Sequence, residues 1–125
     1  KLTYKELHDE LAKLGAKLLL KTIPEWIAGK IKPKTQDETK ATYTKIIKKE
    51  DGRIDWKKPA EYIERQVRAL DPWPGTYTFY KSKILKILKT EIINDKLIIK
   101  EVHLAGKKPM SFEDFFRGHN DYANS

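Results

Sequence analysis

The pentapeptide Asp71-Pro72-Trp73-Pro74-Gly75 divides this chain more sharply than any other feature. Two prolines within three residues remove backbone donors, fix φ and restrict the residues before them, so neither a helix nor a central strand can pass through. The patterns on its two sides differ. Ahead of it, Ala60, Ile63, Val67 and Leu70 recur at helical spacing behind Pro59, a residue suited to a first helical turn. Glu61 with Arg65 and Glu64 with Arg68 are spaced to pair on the wet side of that helix. Behind it lie three runs of strand character, TYTFY at 76–80, ILKILKTEII at 84–93 and KLIIKEVHL at 96–104. Lys81-Ser82 and Asn94-Asp95 between them suit tight hairpin turns, which predicts antiparallel pairing with Lys86 and Lys100 among lysines sharing a face. In SFEDFFRG at 111–118, Ser111 is a helix cap and Phe112, Phe115 and Phe116 supply packing.

The first third of the chain has another character. Thr3 and Glu6 form a capping-box pattern, and Leu7, Leu11, Leu14 and Leu18 give residues 4–21 an apolar stripe, with Asp9 and Lys13 able to pair across one turn. Pro24 either kinks this helix or opens a second short one carrying Trp26 and Ile27, and Gly29 is a natural stop. Residues 30–45 hold few apolar side chains and read as an extended linker, while Asp51-Gly52 signals a turn. The expected fold class is α+β: an N-terminal amphipathic helix and linker, then a small domain with a roughly three-stranded antiparallel sheet and two or three helices.

Composition narrows the function. The chain has 125 residues, 39% of them apolar and 35% charged, enough for one modest core. It contains no cysteine, which excludes disulfides and thiolate metal sites, and no apolar run approaches the roughly 20 residues a membrane span needs. A soluble, cytoplasmic protein is expected. The formal charge of +8 is unevenly spread. Residues 30–58 carry ten bases against five acids and 81–110 carry eight against three, while the remaining segments are close to neutral. Two basic surfaces are therefore expected, the usual footprint of a polyanion partner, against the plainer reading of a solubilising lysine-rich surface.

Catalytic chemistry is not apparent. His8, His103 and His119 lie far apart and match no metal-ligand spacing. A His8-Asp9 dyad is rejected because neighbours on a helix point in different directions. The pairs Asp37-Glu38, Glu50-Asp51 and Glu113-Asp114 read as linker, turn and helix-start features, and there is no phosphate-binding glycine loop or nucleophile elbow. These residues describe a binding module. Trp73 between its prolines is a candidate for stacking on a base, but filling the core beside Tyr77 and Trp56 is the better-supported reading on aromatic burial preferences.

Several stretches carry a resemblance: TYKELHDELAKLGAKLLLKTI at 3–23, QDETKATY at 36–43, EDGRIDW at 50–56, RALDPWPGTY at 68–77, LKIL at 85–88 and AGKKPMS at 105–111. In order and spacing they are similar to the second half of methionyl-tRNA formyltransferases. The resemblance implies that residues 1–29 are the helical end of a formyltransferase catalytic domain, 30–45 the linker, and 46–125 the C-terminal domain, an oligonucleotide-binding (OB)-like fold. Many members have further strands between the segments matching LKTEII and LIIKEVHL, so an abbreviated barrel or open sheet is expected. Such enzymes formylate the methionine on initiator tRNA, with 10-formyltetrahydrofolate as formyl donor. Their catalytic Asn, His and Asp and their folate pocket belong to an N-terminal domain whose motifs this sequence does not contain. The expected role is thus to bind tRNA backbone, with no catalysis and no cofactor held by this stretch. The candidate RNA-binding residues are Lys30, Lys32, Lys34, Lys40 and Lys45 in the linker, and Lys81, Lys83, Lys86, Lys89, Lys107 and Lys108 on the sheet and its exit loop. Expected partners are initiator tRNA, the N-terminal catalytic domain and, through residues 4–28, a second copy; no membrane is expected. The alternative is a structural or self-associating tail of a related sugar or folate formyltransferase.

Overall fold

The computed structural model describes residues 1–119. The chain forms two compact units. One comprises Lys5–Ile46; the other joins Lys1–Tyr4 to the chain from Ile47 onward.

The first unit is dominated by helix α1 (Tyr4–Ile27). It runs as one helix through Pro24, so no second helix opens there. A proline this close to the C-terminus forfeits one backbone bond and leaves the last turns intact. Gly29, at φ +71°, closes the helix: its N–H donates to the Trp26 carbonyl and the Lys30 N–H donates to that of Glu25, the paired bonds of a Schellman motif. Asp9 pairs with Lys5 at 3.0 Å rather than with Lys13. It also lies 3.2 Å from His8 Nδ1: contrary to the expectation from helix geometry, these two exposed side chains on adjacent positions meet through their rotamer freedom. No residue of α1 is buried. The linker that follows contains one short turn, Glu38–Lys40, capped by Asp37, whose carboxylate accepts from the Thr39 N–H at 3.1 Å.

The second unit holds a four-stranded antiparallel sheet in the order β1 (Thr76–Tyr80), β2 (Lys83–Ile93), β3 (Lys96–Leu104) and β4 (Met110–Ser111). The short β4 is one strand more than the sequence suggested. Both hairpin turns have φ > 0 at two successive residues, Lys81 and Ser82 at +45° and +64°, Asn94 and Asp95 at +49° and +59°. That is the turn geometry that matches strand twist. Among the described residues the sheet is open, with β1 and β4 at its edges.

Helices α2 (Ala60–Ala69) and α3 (Phe112–Gly118) accompany the sheet. The α3 cap is as expected, with Ser111 Oγ accepting from the Asp114 N–H at 3.1 Å. The core lies on one sheet face, where Ile63, Val67 and Phe115 from the helices meet Tyr80, Leu85, Ile87, Val102 and Leu104. Each aliphatic side chain buried there contributes about 1.5–3 kcal/mol. Ile54 joins this core from a segment running beside β1, where its N–H donates to the Tyr77 carbonyl at 2.9 Å. Two expectations about side chains fail. Trp73 is 57% exposed and Trp56 44%, so neither fills the core. Both peptide bonds into Pro72 and Pro74 are cis. Glu64, placed on the wet side by its spacing to Arg68, is buried instead. The reason is non-local: Lys1 reaches its carboxylate at 3.6 Å and Arg68 donates to the Leu2 carbonyl at 2.7 Å, so the first residues of the chain lie against this face of α2.

Candidate nucleic-acid interface

Strand alternation sorts the residues of the sheet into two sets. Thr76, Ile87 and Val102 stand in register and are all buried, which defines the inner face. The next register row, Tyr77, Lys86 and His103, therefore points outward, together with Phe79 and Ile84. Helices cover the inner face, and the outer one meets solvent: Phe79 is 50% exposed and Ile84 43%.

Lys86 and Lys89 are three residues apart, and in a regular strand they would face opposite ways. They do not. The β2–β3 register shifts between Ile87 and Lys89 and shifts back before Thr90, leaving Leu88 on β2 and Lys100 on β3 as unpaired extra residues. These are two β-bulges that cancel, and the first re-aims the strand so that Lys89 faces outward like Lys86, opposite Glu101. Glu101 offsets part of the Lys89 charge. Lys100 turns to Glu91 at 3.1 Å, so it is an ion-paired member of the sheet and not a spare cation.

The exit loop is fastened to the same face. His103 Nε2 lies 2.7 Å from the Lys107 carbonyl, and the Lys107 N–H donates to that of Leu104 at 2.9 Å. Lys107 is thereby held beside the Lys86–His103 row, with Lys108 next in the loop. At the other end Lys81 occupies the first hairpin turn with its ammonium 5.4 Å from the centre of the Tyr80 ring, and Lys83 follows as the first residue of β2. All six sheet lysines are exposed.

The linker lysines sit in the other unit. Lys30, Lys32, Lys34, Lys40 and Lys45 are all exposed, and Lys40 pairs with Asp37 at 3.2 Å. Bonds from the Thr39 hydroxyl and from Lys40 hold the Asp37 carboxyl below its usual range, so it stays ionised and offsets Lys40. Among the described residues no group of His, Cys, Asp and Glu is arranged to hold a metal, and no helix is long and apolar enough to cross a membrane.

Sequence spacing missed one outward group. Arg53 bridges to Tyr77 in parallel register, and its guanidinium lies 5.6 Å from the centre of the Phe79 ring. Gln66 on α2 fixes that segment, donating to the Asp51 carbonyl at 2.8 Å. Only the pairing of residues 24 apart brings Arg53 to β1, and no local pattern announces it. Arg53 also borders an open recess of about 440 Å³ with Ile54, Asp55, Trp56 and Lys57 at the edge of the sheet.

Residues 46–97 match the family profile described as formyl transferase, C-terminal domain. The match ends just past the β2–β3 turn. Among curated proteins, a methionyl-tRNA formyltransferase of Chloroflexus aurantiacus is 52% identical over 87 residues, covering 70% of this chain and 28% of the relative. Those of Bacillus velezensis and Rickettsia bellii are 42% and 40% identical over 139 aligned positions, covering 91% and 94% of this chain and 44% and 45% of the relatives. The chain thus spans less than half the length of these relatives. The 139 aligned positions exceed the 125 residues available, so both relatives carry residues within the matched span that this chain lacks.

Proposed function

We propose a role for this chain on the premise that it belongs, as a carboxy-terminal region, to the methionyl-tRNA formyltransferase family. Its role is to hold tRNA by the phosphate backbone while the formyl transfer takes place elsewhere in the enzyme. In this reading 10-formyltetrahydrofolate is bound outside residues 1–125, and initiator tRNA is the partner. Helix α1 is the helical end of the catalytic domain, and residues 30–45 are the linker that joins it to the RNA-holding domain.

The observation that carries the reading is the outward row of basic groups on the sheet. A bulge places Lys86 and Lys89 on one face and a histidine bond fastens Lys107 beside them, whereas Lys83, paired with Tyr80, alternates with the inward set and Lys81 lies over the Tyr80 ring at the first hairpin. Lysine ammonium groups suit phosphate as mobile point charges, and they position an RNA without reading its sequence. The linker lysines, on a segment of extended backbone, add a second run of contacts.

Binding of the chain to initiator tRNA across a salt series tests this, with the charge-reversed pairs Lys32→Glu/Lys34→Glu and Lys86→Glu/Lys89→Glu alongside. Affinity should fall steeply with salt, and each pair should weaken binding and flatten the logarithmic salt slope by about one to two units. Absence of binding at low salt would remove the role.

A further inference from the structure

The outward face of β1 and β2 carries more than charge. Phe79 stands half exposed in the middle of it, flanked by Tyr77 edge-on at 5.8 Å, by Arg53 at 5.6 Å and, across the ladder, by Ile84. Apolar residues on a solvent-facing strand position are ordinary when single, but here an aromatic pair, an isoleucine and a guanidinium are gathered within one lysine row. We infer that this face is a stacking platform for an unpaired nucleobase of single-stranded RNA, with the base laid on Phe79 and its flanking phosphates held by Arg53 and Lys86. The inference rests on the RNA-holding role and adds to it the kind of RNA segment recognised.

Several features select this occupant. Tyr77 stands directly opposite Lys86, so an aromatic and a cation occupy the same register row, and Phe79 lies two register rows away on the same face. An alternation of ring and cation at that spacing suits a strand of bases and phosphates, whereas backbone contacts alone need no ring. The site is also fixed in advance. Phe79 and Lys86 are held by the β1–β2 ladder, and Arg53 by the Gln66 bond and by the Ile54–Tyr77 bond beside it. A rigid platform loses little freedom on binding. An apolar protein partner would have to desolvate Arg53 and Lys86 beside the ring, a cost that a polyanion turns into attraction. A fully paired duplex cannot use the ring, because its bases are already stacked on one another.

The test uses the whole chain with a short single-stranded RNA carrying one 2-aminopurine, whose emission is quenched by stacking, and a duplex of the same length without it. Phe79→Thr keeps strand propensity while removing the ring, and Phe79→Trp restores a larger one; melting curves establish that both variants fold. The expected result is that Phe79→Thr weakens single-strand binding by roughly tenfold and relieves the quenching, that Phe79→Trp retains both, and that duplex binding is unchanged in each. The charge-reversed Lys86→Glu/Lys89→Glu pair should weaken both ligands. Equal single-strand affinity in Phe79→Thr, alongside loss in the lysine pair, would overturn the platform and leave the backbone role standing. Loss with Trp73→Ala in place of Phe79→Thr would move the stacking site and also overturn the inference. A chain that binds neither ligand would overturn both.

Discussion

Single residues decide whether this platform forms. Gly52 packs against the carbonyl oxygen of Gly75, and a β-carbon there would overlap that oxygen. Gly52→Ala should therefore push the Arg53 segment off β1, costing about 1–3 kcal/mol in a denaturant titration. The sequence marked this glycine as a turn residue. Its real constraint is the close approach of two backbones, which only the fold reveals. Glu64 teaches a similar lesson: its spacing to Arg68 was legible and its burial was not, because the covering residues, Lys1 and Leu2, stand at the far end of the chain. The Arg68 guanidinium holds the Glu64 carboxyl below its ordinary value of 4.5. A carboxylate with a lowered folded pKa stabilises fully above that ordinary value and loses its contribution as pH falls through the folded one. The melting temperature should accordingly drop as pH is lowered below about 4.5, and Glu64→Gln should lack that component of the drop while being about 1–3 kcal/mol less stable near neutrality.

At the scale of elements, helices α2 and α3, the three long strands and both hairpin turns were legible because each rests on local periodicity or turn chemistry. The paired bulges were not. Nothing in ILKILKTEII says which residue is extra, since period-two patterns survive a slip that a partner strand repairs. Because Leu88 and Lys100 cancel, deleting both leaves every paired position beyond them in the same register, with Lys86 and Lys89 still outward. Deleting Leu88 alone removes the first bulge and leaves the second: Ile87 still pairs with Val102, Lys89 with Glu101 and, past the extra Lys100, Thr90 with Ile99, so the inward set is unchanged. Both deletions should therefore keep the apolar face buried and unfold within about 1–2 kcal/mol of one another in a denaturant titration. A much larger deficit in the single deletion would mean that the strand had slipped by one residue and turned its apolar set outward. Trp73 failed at this scale as well, since aromatic burial preference says nothing about a turn that holds its indole outward.

For the whole molecule, helix α1 buries none of its residues and exposes Leu7, Leu11, Leu14, Leu18, Leu19, Leu20 and Trp26. So much exposed apolar surface on one helix calls for a partner. The isolated chain should self-associate through it, giving a concentration-dependent mass in size-exclusion chromatography with light scattering that Leu11→Lys/Leu18→Lys returns to the monomer. A wild-type monomer at every concentration would contradict this. The stripe itself was plain in the sequence; that none of its leucines is buried among the described residues became visible only with the fold. Lys1–Tyr4 belong to the same compact unit as the chain from Ile47 onward, so the polypeptide leaves that unit through α1 and rejoins it after the linker. It is a closed circuit, and a single nick among the exposed lysines of residues 30–45 does not by itself free a fragment. The loose end keeps the Arg68–Leu2 bond and the Lys1–Glu64 pair among its contacts with α2, and full release needs a second cut or the failure of the contacts made by Lys1–Tyr4.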